Sequence, residues 1–291
     1  MEATNSINNP EDLADDKQLL RSIVNNDYVI PKAIDSFEFA QALLKQLGSS
    51  DEELRDEFSY MILARGILEQ NKLTGEQLEQ LLGQVLSDKH LFYHIGEAGN
   101  DTVFMRSFSN LIIAAILYTD ASKPTLSKQH IQQVKQALTR YAQEEKDWRG
   151  YIEGKGWSHS MAHLADALDI YAQHPHTTGE NRKDVLVLLS QLIKNSAPLF
   201  SEEDVRLATV AYHIILGKQV DTEFIKNWLQ ACSVQRGADI RSWRRATNVK
   251  NFLRSLYFLL LWDSIAVPLM DAIATILKQQ DAPFADIEDN F

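Results

Sequence analysis

Apolar residues in this chain return every three or four positions, in segment after segment, and that spacing is the signature of α-helices. In VFMRSFSNLIIAAILY, Phe104, Phe108, Leu111, Ile112 and Ala115 share one face. HIQQVKQALTRYA repeats the pattern with Ile131, Val134, Leu138 and Tyr141. DVLVLLSQLIKN, VRLATVAYHIILG, EFIKNWLQACSV, NFLRSLYFLLLW and LMDAIATILKQQ read alike, and no stretch alternates as a convincing strand. Only 12 Gly and 7 Pro punctuate 291 residues, which favours long helices over many short strands. SSDEELRDE, TGEQLEQLL, SKQHIQQV and SEEDVRLA place Ser or Thr ahead of acidic or amide residues, as helix caps do. Gly48, Gly179 and Gly217 read as stops. The expectation is about a dozen helices of about 10 to 20 residues with short connections.

A chain this long buries enough surface to fold without disulfides or structural metal. Its single cysteine, Cys232, permits no intrachain disulfide, and LQACSV within an apolar helix predicts a buried thiol. The net charge of −11 disfavours nucleic acid and anionic lipid as partners. The amino end, MEATNSINNPEDLADDKQ, lacks the basic and apolar regions of a secretory signal. The longest apolar runs, Leu111–Leu117 and Leu256–Trp262, fall short of the ~18 residues a membrane helix needs. A cytoplasmic protein with no membrane contact is expected.

The predicted fold is all-α: a HEAT/armadillo-like array of antiparallel helix pairs in a single curved domain over residues 16–280. Residues 1–15 read as a mobile acidic segment. Residues 281–291, with Phe284, Ile287 and Phe291 among acids, read as an acidic tail, folded on the last helix or binding a partner. FMRSF at Phe104–Phe108 echoes FLRSL at Phe252–Leu256, but no strict repeat period follows.

Chemistry concentrates in EEKDWRGYIEGKGWSHSMAHLADALDIY. Gly150, Gly154 and Gly156 predict a constrained loop, with a helix starting near Trp157 or Ser158. On that helix His163 lies about 40° from His159, and Asp166 about 20° to the other side. His159, His163 and Asp166 thus form one stripe that suits a divalent metal, a metal-free polar pocket or a structural seam. This is not HExxH, because Ser160 follows His159 where a glutamate base would stand. Lys155, at a helix start between glycines, suits an anion site, while Asp147, Arg149 and Glu153 equally suit surface pairs.

Two other segments set polar groups among apolar ones. GEAGNDTVFMRSF holds Glu97, Asp101 and Arg106 ahead of an apolar helix. RGADIRSWRRATNVKNFLRS holds Arg236, Arg241, Arg244, Arg245, Lys250 and Arg254 with Asp239 the only acid. That run suits a phosphorylated or carboxylated ligand, or pairing with the acids of SEEDVR. No P-loop, GxGxxG or GxSxG occurs.

The ordered set SSDEELRDE, IGEAGNDTVFMRSFSNLIIAAIL, EEKDWRGYIEGKGWSHSMAHLADALD, SEEDVRLA and NVKNFLRSLYF resembles a bacterial family of uncharacterised proteins, domain of unknown function 2785. The likeness spans about residues 40–260 and is most specific in RGYIEGKGWSHSMAHLADAL. It implies an all-helical, HEAT-like domain and no established activity. The family's pattern falls on Arg55, Asp56, Asp101, Arg106, Ser107, Arg149, Gly150, Gly156, Trp157, His159, His163 and Asp166.

The combined expectation is one polar concave pocket. Its floor is His159, His163 and Asp166, its rim Arg106, Arg149 and Lys155, its wall Trp157, with Asp101 beside them. Such a pocket suits a small anionic ligand or a protein partner. The alternative is a hydrolase or transferase in which His159 or His163 is the base, Asp166 orients it, and a divalent metal assists, with Glu97 or Asp101 as further ligand.

Overall fold

The computed structural model describes residues 9–285, with side chains through residue 280. It is a helical protein. Its backbone contacts divide it into two compact units, residues 1–167 and 168–291, where the sequence suggests one domain.

The first unit begins with α1 (Pro10–Asp15), α2 (Lys17–Asn25) and α3 (Ser36–Gln46). Residues 10–15, expected to be mobile, are helical. The Asn9 side chain accepts from Glu11 N–H, Pro10 starts the helix, and Ala14 is buried as α1 packs on α3. Two π-helical segments follow, Glu53–Tyr60 and Ile62–Leu68. Their i→i+5 winding is rare and recurs at functional sites. Next come α4 (Gly75–Val85), α5 (Thr102–Ser122) and α6 (Lys128–Glu144). Thr74–Gln77 and Ser127–His130 form the reciprocal capping boxes that the sequence suggests.

The helix α5 is the centre of this unit and packs on α4 and both π-helical segments. It is buried almost all round, with Ser107, Ser109, Asn110 and Asp120 as well as its apolar face. By length and composition alone it is apolar enough to cross a membrane, with hydropathy 1.3, but 78% of that window is buried inside the protein. It is a core helix, longer than the apolar run Leu111–Leu117 suggests.

After α6 the chain forms a short hairpin, β1 (Tyr151–Ile152) antiparallel to β2 (Gly156–Trp157), and enters α7 (Ser160–Gln173). The second unit contains the end of α7, then α8 (Gly179–Leu192), α9 (Glu203–Leu216), α10 (Thr222–Cys232), α11 (Ile240–Trp262) and α12 (Val267–Ala285). Gly179 starts α8 and stops nothing, since Thr178 caps the helix it opens. Within this unit α8 packs on α9 and α10, α9 on α11, and α12 on α10 and α11. Buried Asn248 fixes the α8–α9 connection by donating to the carbonyls of Asn195 (2.9 Å) and Ala197 (2.8 Å) and accepting from Leu199 N–H (3.2 Å). Cys232 is buried, which pushes its thiol up to about 12. The helix α12 runs five residues past 280, to Ala285. The rest of the expected tail, and residues 1–8, lie outside the described residues.

Candidate functional site

The hairpin explains why the loop of glycines is needed. Gly154 and Gly156 have φ of +71° and +79°, a region that L side chains avoid. A Cβ on Gly156 would also stand 2.5 Å from Glu52 Cδ. The Ser158 hydroxyl donates to the carbonyls of Arg149 (2.7 Å) and Gly150 (3.0 Å), and Ser160 Oγ donates to the carbonyl of Asp147. These bonds hold the chain extended through Trp157 and delay the helix to Ser160.

His159 therefore precedes α7 instead of standing on its first turn. Its φ is +41°, and its carbonyl accepts the first helical bond, from His163 N–H at 2.9 Å. The three-residue helical stripe expected for His159, His163 and Asp166 does not form. The two imidazoles still lie near each other, with centroids 5.9 Å apart, because the His159 ring stacks at 4.0 Å on Trp157.

A continuous run of rings results. Tyr151 meets Trp157 at 5.1 Å, Trp157 meets His159, His159 meets His163, His163 meets Phe108 at 5.0 Å, and Phe108 meets Tyr60 at 6.1 Å. Five of these six rings border a groove of about 300 Å³, together with Asp56, Glu57, Met61 and Leu111. The π-helical segment supplies Asp56, Glu57 and Tyr60, α5 supplies Phe108 and Leu111, and the hairpin and α7 supply Trp157 and His163. Asp166 is half-buried and is not among the residues that line the groove.

The cations expected at the rim are engaged elsewhere. Arg106 is fully buried and bidentate to Glu145, at 2.7 Å from Nε and 3.0 Å from Nη2. Its remaining donors reach the carbonyls of Tyr93, His94 and Glu97 and the Thr102 hydroxyl. This arginine ties two loops to α5 and presents nothing to solvent. Arg149 is bidentate to Asp147, at 2.7 and 2.6 Å, and also donates to the carbonyl of Asn100. The guanidinium holds the Asp147 carboxyl below its ordinary range against the opposing effect of burial. Lys155 lies in the hairpin turn and not at the start of α7, and its Nζ is 2.7 Å from both carboxylate oxygens of Asp101, the residue that precedes α5.

Beneath the groove Arg55 is fully buried against Phe104 and Phe108, with its carbon Cζ 4.0 and 5.0 Å from their centroids. It donates to the carbonyls of Ser49 (2.8 Å) and Lys155 (2.9 Å). Its Nε stands 2.6 Å from Asp56 Oδ1, an ion pair without hydrogen-bond alignment. Burial pushes the Asp56 carboxyl up to about 6, with Arg55 opposing the shift.

Buried Ser107 joins the groove to the hairpin. Its hydroxyl donates to the carbonyl of Ser158, so the 2.8 Å contact with His163 Nδ1 has the ring nitrogen as donor. That directs Nε2 of His163 away from Ser107. Ser107 thus ties the His163 ring to the hairpin carbonyl. Among the described residues, no group of three or more His, Cys, Asp or Glu side chains is arranged to hold a metal ion.

Sequence reasoning missed Glu57, Tyr60 and Met61 as neighbours of the histidines. Nothing in the periodicity of EELRDEFSYM marks a π-helix. The echo between Phe104–Phe108 and Phe252–Leu256 does not extend to roles, since Arg106 is buried and Arg254 exposed.

The family model described as "Protein of unknown function (DUF2785)" matches residues 91–258. The chain belongs to this family. The match includes Phe108, Trp157, His159 and His163 and leaves out Asp56, Glu57 and Tyr60. No curated protein and no solved structure matches.

Proposed function

We propose that this protein is a binding protein whose groove takes the positively charged, partly apolar group of a small molecule or of a partner's side chain. The reading rests on the groove lining, which joins aromatic rings to Asp56 and Glu57 and contains no Lys or Arg. Aromatic faces and carboxylates together favour an organic cation over an anion. The net charge of −11 draws such a ligand in. The anion expected from the sequence is disfavoured here because Arg106, Arg149 and Lys155 each already face a carboxylate.

The test is fluorescence titration of the full chain with arginine amide, with citrate as the anionic control. A saturable change with arginine amide, lost in Trp157→Phe and weakened about tenfold in Asp56→Asn, supports the reading. Saturation by citrate at the same site overturns it.

One observation favours a second reading, a hydrolase or transferase without metal. Asp56, raised to about 6, and His163, held by Ser107, border the same groove as a titratable pair suited to proton transfer. Turnover of a substrate, abolished by His163→Gln with the fold retained, would favour it. We also read the stacked pairs α8–α9, α9–α11 and α11–α12 as a HEAT-like arrangement within the second unit.

A further inference from the structure

A small cavity in the first unit shares no residue with the groove. It sits where the second π-helical segment ends, α4 begins and α5 ends. Its volume is about 120 Å³, close to the roughly 150 Å³ that holds one benzene molecule. Ile67, Leu68, Leu73 and Leu78 make up the apolar part of its lining, and no carboxylate belongs to it among the described residues.

Three donors meet there. The first is Thr119 of α5, which lines the cavity and is only 7% exposed. Its hydroxyl is buried and has no hydrogen-bond partner among the described residues. A buried hydroxyl is costly to leave unpaired, so this one calls for an acceptor. Asp120 does not supply it, since its Oδ1 already accepts from Thr125 N–H (2.7 Å), the Thr125 hydroxyl (3.0 Å) and Leu126 N–H (2.9 Å). The second donor is the start of α4. Thr74 Oγ1 caps Gln77 N–H, which leaves the N–H groups of Gly75 and Glu76 without an acceptor in the helix. Gly75 lets this helix end approach the loop after α5, because a Cβ there would stand 3.2 Å from Thr125 Cβ. The third is Lys123, which is exposed and whose ammonium has no ion pair among the described residues.

A helix N-terminus, a hydroxyl and an ammonium together favour an anion. The apolar lining decides which kind. Phosphate is polar on every side and would set an oxygen against leucine, whereas a short carboxylate has one polar end and one apolar end.

We infer that this cavity binds a short-chain monocarboxylate of about two to four carbons. The carboxylate accepts from the Thr119 hydroxyl, the start of α4 and Lys123, and the alkyl end packs among the leucines.

Ligand-observed proton NMR of the full chain with propionate at fixed ionic strength tests the assignment. The expected result is one saturable site, weakened about tenfold in Lys123→Gln and in Thr119→Val, since each removes one hydrogen bond to the anion. Neither phosphate nor arginine amide should displace propionate, and the second control separates this site from the groove. Absence of saturable binding would mean a cavity filled by water only and overturns the assignment. Displacement by either competitor, or binding that either variant leaves intact, does the same. Circular dichroism checks the fold of each variant, and Lys123→Gln, a change at an exposed position, decides alone if Thr119→Val unfolds the chain.

Discussion

Arg106 and Glu145 are both completely buried and meet in a bidentate ion pair across 39 residues of sequence. Glu145 Oε1 also accepts from the backbone N–H groups of Lys146 (2.9 Å) and Asp147 (2.8 Å), so one carboxylate organises the chain leading to the hairpin. Removing one member of a buried pair leaves the other uncompensated, at a cost of about 3–5 kcal/mol. Glu145→Gln should lose that much in urea unfolding, and Arg106→Met should do likewise. A double variant, Arg106→Met with Glu145→Met, should lose less than the sum of the two. Additive losses would mean that the pair does not act as a unit.

The Asp56 carboxyl supplies a pH signature. Its folded value of about 6 lies above its ordinary 3.8, so the folded protein holds this proton more tightly than the unfolded chain. The resulting stabilisation is complete below about pH 4 and fades as pH rises to 6. Its size is on the order of 2 kcal/mol. Unfolding free energies of the protein and Asp56→Asn, compared from pH 4 to 7, should differ by this slope; parallel curves would refute it. Binding of a cation in the groove should fall as pH drops through the same value.

Gly156 and Gly154 separate two costs of a side chain. Both have positive φ, which costs an L residue about 1–2 kcal/mol. A Cβ on Gly154 meets nothing within 4 Å, whereas one on Gly156 meets the Glu52 carboxyl group. Gly154→Ala should therefore lower stability by about 1 kcal/mol and leave the groove unchanged. Gly156→Ala should cost about 1 kcal/mol more and shift the Trp157 fluorescence. Equal effects would mean that Glu52 swings aside freely.

In the second unit His213 Nδ1 lies 2.8 Å from Asp169 Oδ1, and this hydrogen bond raises the imidazole above its ordinary 6.5 despite partial burial. The stabilisation is present below pH 6.5 and is lost as pH rises through the raised value. The group is partly exposed, so the effect is about 0.5–1 kcal/mol. Asp169→Asn should lower the His213 titration midpoint in proton NMR. An unchanged midpoint would exclude Asp169 as the cause.

Helices were the legible part of this chain because burial sorts residues by face. Ile131, Val134, Leu138 and Tyr141 share a stripe on α6, and all are buried. The capping boxes at Thr74 and Ser127 were legible for a similar reason, since both partners lie within four residues. The candidate site was legible in its residues but not in their roles. His163, Trp157 and His159 do meet, yet Arg106 reads the same in sequence whether it faces solvent or a carboxylate 39 residues away. The hairpin escaped notice because two-residue strands have no alternation to read. The groove wall from Asp56 to Met61 escaped because π-helical winding leaves no periodic signature as short as this.

The central position of α5 has a consequence for synthesis of the chain. Arg106 finds its carboxylate 39 residues downstream, and Ser107 finds His163 56 residues downstream. At translation rates of about 5–20 residues per second, the helix waits on the order of 3–11 seconds after emerging before the second contact can form. In that interval α5, a segment apolar enough for a bilayer, rests on α4 and the π-helical segments, which precede it in the chain. The apolar body of α5 is thus packed by what was made before it, and its polar contacts at Arg106 and Ser107 are completed by what is made after it.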